Sequence, residues 1–136
     1  MKTFKLKDFE RLLKKCDFDY FKKKNFVDID LNNEETKNKI IKIYEDLSNF
    51  EGIRYVGATK VMHLICPYVF VMWDVAIIEG YKKETLRGYI NTRPEGYYNF
   101  MREMQKRYKE KKFKDLKRNV LVPRAIDLHN WDKFST

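Results

Sequence analysis

Residues Phe50–Ile78, FEGIRYVGATKVMHLICPYVFVMWDVAII, decide how the rest of this chain is read. The stretch holds two of the five glycines, one of the three prolines, one of the two tryptophans and one of the two histidines. Two turn signals, Glu51-Gly52 and Tyr55-Val56-Gly57, interrupt an otherwise helical pattern. Apolar residues then run almost unbroken to Trp73, and Asp74 is the one acid in the run. Gly57 is expected to end a tight turn. Ala58–Cys66 is expected to form a short helix with Val61, Leu64 and Ile65 inward, stopped by Pro67. Asp74 has the chemistry of an N-cap for a helix over Val75–Tyr81, with Gly80 near its C-terminal end.

Upstream, Phe4, Leu6, Phe9, Leu12 and Leu13 fall near helical spacing and predict an amphipathic helix over Lys5–Lys15. Cys16–Phe26 places Phe18, Tyr20, Phe21 and Phe26 around Lys22-Lys23-Lys24. Basic residues among aromatics suit stacking on single-stranded nucleic acid, but the ordinary fate of such rings is the core, and that reading is preferred. Asn32 or Asn33 starts the clearest helix, Asn32 and Glu35 having capping-box spacing. Its buried stripe is Ile40, Ile41, Ile43, Tyr44 and Leu47, and it ends near Asn49.

Downstream, Lys82–Arg93 reads as a polar loop. Pro94 suits a first helical position, and Tyr97, Phe100, Met101, Met104 and Tyr108 repeat at three and four residues. Arg102, Lys106, Arg107 and Lys109 then fall on the opposite, solvated face. Phe113–Val122 reads as a short helix or an extended joint. Pro123 opens a last helix that packs through Ala125, Ile126, Leu128 and Trp131. Only Tyr68–Trp73 resembles a strand. The expected fold is one all-α domain over residues 1–136 with about six helices.

The chain has 136 residues, 43% of them apolar and 15% aromatic, enough for a core despite 36% charged residues. Its 29 Lys and Arg against 20 Asp and Glu give a net charge of +9, which attracts polyanions, nucleic acid first among them. Cys16 and Cys66 match no metal spacing and make no disulfide framework. No apolar run approaches the roughly 18 residues a spanning helix needs, and no signal-peptide apolar region follows Met1–Lys7. A soluble, cytoplasmic protein without a membrane partner is expected.

With those residues in view, the central stretch resembles the helix-hairpin-helix DNA glycosylase superfamily. That family joins two helices by a Leu-Pro-Gly-Val-Gly type turn and sets an aspartate at the head of a later helix. Here Phe50–Val61 stands where the hairpin would be and Phe70–Asp74 where the aspartate segment would be. Arg54 and Tyr55 replace the family's Pro and first Gly if Gly57 is its second Gly. Thr59 then takes the position of the Schiff-base lysine of bifunctional members, with Lys60 one residue beyond. The resemblance covers residues 50–78 and implies a helix-hairpin-helix-like orthogonal bundle and a role on DNA.

It implies that the 52–60 turn grips phosphate. Free N–H groups and the positive end of the following helix attract anions, and Gly57 allows close backbone approach. Arg54, Gly57, Thr59 and Lys60 are the candidate nucleic-acid contacts, set against a plain turn with solvated cations. It also implies Asp74 as a catalytic carboxylate stabilising positive charge on a sugar, set against a plain N-cap. Trp73, Tyr68 and Tyr55 are candidates for a base pocket, with core packing as their default. His63 shares a helical face with Thr59 and reads as a satisfied buried histidine. Asp127, His129 and Asp132 have only a weak metal-like spacing, so neither metal nor cofactor is expected; with two cysteines an iron–sulfur cluster is ruled out. Three functions stay open: DNA binding through phosphates, a glycosylase or related lesion-processing enzyme using Asp74, and a protein-interaction module whose basic helix Pro94–Lys111 meets an acidic partner.

Overall fold

A computed structural model describes residues 5–135 and shows six α-helices and one short 3-10 turn, with no strand among the described residues. The helices are α1 (Leu6–Lys15), α2 (Glu34–Ser48), α3 (Arg54–Ile65), α4 (Val75–Glu84), α5 (Pro94–Lys109) and α6 (Val122–Phe134). The all-α expectation holds. Phe4 lies outside the described residues. No helix among those described is long and apolar enough to cross a membrane.

α1 is a peripheral helix: none of its residues is fully buried, and Phe9 reaches the Phe50 ring at 5.5 Å. The following 3-10 turn, Phe18–Phe21, is capped by the Asp17 side chain and buries Phe18 and Phe21 against Phe70. Phe18, Phe21 and Phe26 are therefore core, while Tyr20 is half-buried and has Lys24 and Lys39 over its ring. Asn33 is the cap of α2, its Oδ1 accepting from Thr36 N–H at 3.0 Å, so the cap falls one residue after the Asn32–Glu35 box. Ile40, Ile43, Tyr44 and Leu47 make its buried stripe.

The tight turn after α2 closes at Gly52, not Gly57. Ile53 N–H donates to Phe50 carbonyl at 3.0 Å, and Gly52 takes φ 93°, the positive value demanded at the third position of a type II turn. Arg54 follows at φ 58°, and α3 runs through Gly57 without a break. The buried face of α3 also differs from expectation. Ala58, Thr59, Met62 and His63 are buried, whereas Leu64 is 78% exposed and Ile65 also faces outward. The physical reason is hydrogen bonding. α3 is apolar on several sides, so burial of methyl groups barely selects a face. The polar pair Thr59 and His63 finds partners inside: Thr59 Oγ1 accepts from Trp73 N–H, and His63 Nδ1 lies 2.8 Å from Phe70 carbonyl.

Cys66–Trp73 is an irregular connection through the core, with Val69, Phe70, Val71 and Trp73 buried. Buried backbone outside a ladder needs other partners, and side chains provide them. Tyr97 Oη donates to Val71 carbonyl at 2.8 Å, and Val71 N–H points to Met101 Sδ at 3.4 Å. Trp73 sits among Tyr44, Tyr97 and Phe100, with ring centroids 5.0–6.1 Å apart. This aromatic centre joins α2, the connection and α5.

α4 runs to Glu84, so the expected loop begins at Thr85 rather than Lys82. Gly80 does not end the helix. A Cβ there would lie 2.2 Å from the Phe134 ring of α6, so its bare backbone is the contact between the two helices. α5 starts at Pro94 and buries Tyr97, Phe100, Met101 and Met104. Arg107 is not solvated: it pairs with Glu84 at 3.0 Å and Glu103 at 2.7 Å and lies over the Tyr81 ring. Lys133 also reaches Glu84, at 2.8 Å, binding α6 to the same group. Residues 110–121 form an irregular loop. α6 buries Ala125, Ile126 and Asn130, but Trp131 is 55% exposed and does not pack.

Candidate functional site

The connection through the core delivers Asp74 to the surface on a fixed frame. Trp73 N–H is held by Thr59 Oγ1 at 3.1 Å, and Trp73 Nε1–H donates to Tyr55 carbonyl at 3.2 Å. Asp74 then caps α4, Oδ1 accepting from Ile77 N–H at 2.8 Å. Its other oxygen, Oδ2, accepts no hydrogen bond from any described residue. Half-buried Asp74 thus combines a structural bond on one oxygen with an open acceptor on the other.

A cleft of about 290 Å³ opens beside it. It is lined by Met72, Trp73 and Asp74 of the connection, Lys60 of α3, and Arg124, Asp127, Leu128 and Trp131 of α6. The four α6 residues recur at intervals of three and four and so share one helical face. Arg124 donates to Asp127 Oδ2 at 2.5 Å, and Asp127 is only 8% exposed. Burial pushes the Asp127 carboxyl above the ordinary carboxylate range, and the charge of Asp74 adds to this; Arg124 and His63 pull the other way. Lys60 is exposed and makes no ion pair among the described residues.

Two cations, two carboxylates and a half-exposed indole therefore face one recess. A cation at the wall suits a phosphate, an aromatic plate suits a flat ring, and a carboxylate suits developing positive charge between them.

The residues singled out in sequence separate into three places. Lys60 and Asp74 converge on the cleft. Arg54 and Gly57 lie at the outer start of α3, where Ile53 provides no side-chain cap; Arg54 is exposed without an ion pair among the described residues. Thr59 is 0% exposed and cannot reach a phosphate; it is the clamp on Trp73 instead. Trp73 is core as well. Tyr55 and Tyr68 are half-buried and do not line the cleft. His63 is buried and bonded, as read from its position.

Asp127, His129 and Asp132 do not converge. Asp127 faces the cleft, while His129 packs on Phe113 of the preceding loop at 5.0 Å. Among the described residues no group of three or more His, Cys, Asp or Glu side chains is arranged to hold a metal.

Of the cleft residues on α6, sequence reasoning passed over Arg124, named Asp127 only for a weak metal-like spacing and assigned Trp131 to the core. Their signal was the run Arg124, Asp127, Leu128, Trp131 on one face of α6. A lone tryptophan at helical spacing is normally core, and that rule hid it. No protein-family model, curated protein or solved structure matches this chain.

Proposed function

We propose that this protein binds DNA in the manner of a helix-hairpin-helix protein, gripping phosphates through the turn at Gly52 and the start of α3 that follows it, and offering the strand the cleft between Lys60 and Asp74. The observation that carries the reading is the convergence of Lys60 and Asp74 on one recess. They lie on different elements, and Lys60 shares α3 with an uncapped helix start and with Arg54, which has no ion pair among the described residues. A +9 chain adds long-range attraction for a polyanion. The test is titration against duplex DNA across a salt series. Wild type binds at low salt, and the Arg54→Ala, Lys60→Ala pair lowers the salt slope by roughly 0.9 for each phosphate it no longer neutralises. Unchanged affinity and slope in the pair would overturn the reading.

A second reading is favoured by the open oxygen of Asp74. In a DNA glycosylase or related lesion-processing enzyme, the bond from the sugar C1′ to the base would break first, water would then add at C1′, and the proton that the water gives up would balance the one taken by the leaving base. Asp74 would stabilise the positive charge on the sugar between these events. Incubation with a panel of damaged duplexes tests it. Base release by wild type, lost in a folded Asp74→Asn variant, supports it; release of no base from any duplex removes it and leaves the binding protein.

A further inference from the structure

The cleft is electrically mixed, and much of the protein's positive charge lies elsewhere. Residues 106–118, KRYKEKKFKDLKR, hold eight Lys and Arg against the two acids Glu110 and Asp115. Arg107 is withdrawn into its pairs with Glu84 and Glu103. Lys106, Lys109, Lys111, Lys112, Lys114, Lys117 and Arg118 are all exposed and make no ion pair among the described residues.

The backbone brings these cations together. α5 ends in a Schellman motif, with Lys112 N–H donating to Arg107 carbonyl at 2.8 Å and Lys111 N–H to Tyr108 carbonyl at 3.1 Å. Lys111 holds the left-handed position at φ 57°, where glycine is the usual residue and a side chain costs about 1 kcal/mol. The chain then doubles back, and the Phe113 ring meets His129 of α6 edge-on at 5.0 Å. Tyr108, Phe113 and Leu116, each half-buried, line two recesses of about 320 and 660 Å³. Lys109 and Lys111 line the smaller one, and Lys117 and Arg118 line the larger together with the single acid Asp115.

We propose that residues 106–118 form a second nucleic-acid surface, built for a single strand. The lysines follow the phosphates, and an unstacked base lies on the Tyr108–Phe113 floor. Cations around a recessed aromatic floor are what single-strand binding requires, because every base has a face that stacks. A duplex presents phosphate but no free base face, and an acidic peptide offers no planar ring for the recess. The surface rests on a side of α6 marked by Ala125 and His129, not the side that lines the cleft. It therefore stands or falls independently of the Lys60–Asp74 reading.

The test is fluorescence anisotropy with a labelled short oligothymidylate, and with a duplex for comparison, over a salt series. Lys111→Gln, Lys112→Gln, Lys117→Gln and Arg118→Gln together are expected to weaken oligothymidylate binding by on the order of tenfold or more. The slope should fall by roughly 0.7 for each phosphate that is no longer neutralised. The Arg54→Ala, Lys60→Ala pair should leave this binding intact. Lys111→Gly gives the readout that a structural role alone does not: a raised melting temperature together with weaker binding. Oligothymidylate affinity unchanged in the fourfold variant would overturn the proposal. So would loss of that affinity in the Arg54, Lys60 pair, or a preference for polyglutamate over oligothymidylate at equal salt.

Discussion

The backbone N–H of Trp73 donates to the Thr59 hydroxyl across 3.1 Å, from a position 14 residues further along the chain. Thr59 in turn donates to Val56 carbonyl at 3.1 Å, so one hydroxyl is fully used inside the core. The bond ties the residue before Asp74 to the residue before Lys60. The two side chains that converge on the cleft are thereby carried by one rigid joint.

Removing that hydroxyl leaves a buried N–H without a partner. Thr59→Ala is expected to cost about 1–3 kcal/mol in chemical denaturation, and Thr59→Ser distinctly less, since it keeps the acceptor. An alanine variant as stable as wild type would show that water or a shifted backbone replaces the bond.

Asp74 should separate into two roles by substitution. Asn also caps helices, so Asp74→Asn is expected to retain nearly all the stability. Asp74→Ala should lose about 0.5–2 kcal/mol. Thermal unfolding of the two side by side checks this. Equal losses would mean that the negative charge, and not the Ile77 N–H bond, holds the head of α4.

Gly80 is a contact between helices. A methyl group there collides with the Phe134 ring at 2.2 Å, and overpacking of this kind costs about 1–3 kcal/mol. In a double-mutant cycle, Gly80→Ala should lose most of its penalty when Phe134→Ala is already present. Additive losses would place the strain elsewhere.

Stability should fall on mild acidification through His129. Burial holds its pKa below the ordinary value of 6.5, and Lys133 pushes the same way, against weaker opposing effects of Asp132 and Lys114. Above that value both folded and unfolded chains carry a neutral ring. As pH falls below it the unfolded chain takes up a proton first, so folding weakens until the folded-state pKa is passed. Denaturation midpoints measured from about pH 7 to pH 5 should drop in wild type and drop less in His129→Gln. Because His129 seats Phe113, the change should appear first as faster hydrogen exchange in residues 110–121. Glu84 acts lower on the pH scale. Burial alone would raise its carboxyl, but hydrogen bonds from Lys133 and Arg107 outweigh this and lower it. Its contribution is lost as pH falls through the carboxylate range.

What could be read from sequence was whatever neighbours along the chain decide. Asn33 and Asp74 each have a short acceptor side chain within reach of an N–H three residues on, and Pro94 cannot sit anywhere in a helix but its start. Those residues mark helix starts by themselves, and the apolar stripes of α2 and α5 declare their faces by period. The all-α class and the caps of α2 and α4 were therefore legible in the chain itself.

Three features depended on contacts between distant residues. Gly52 and Gly57 are equal turn signals in isolation, and only the path from α2 into α3 chose between them. The face of α3 was set by Thr59 and His63 meeting Trp73 and Phe70, partners that exist only after folding. The exposed position of Trp131, and the cleft it shares with Lys60 and Asp74, came from the way α6 seats Phe134 on Gly80. Local hydrogen bonds and backbone sterics act within a few residues and are written in the order of the chain. Which face is buried depends on what lies opposite it, and that the tertiary structure alone decides.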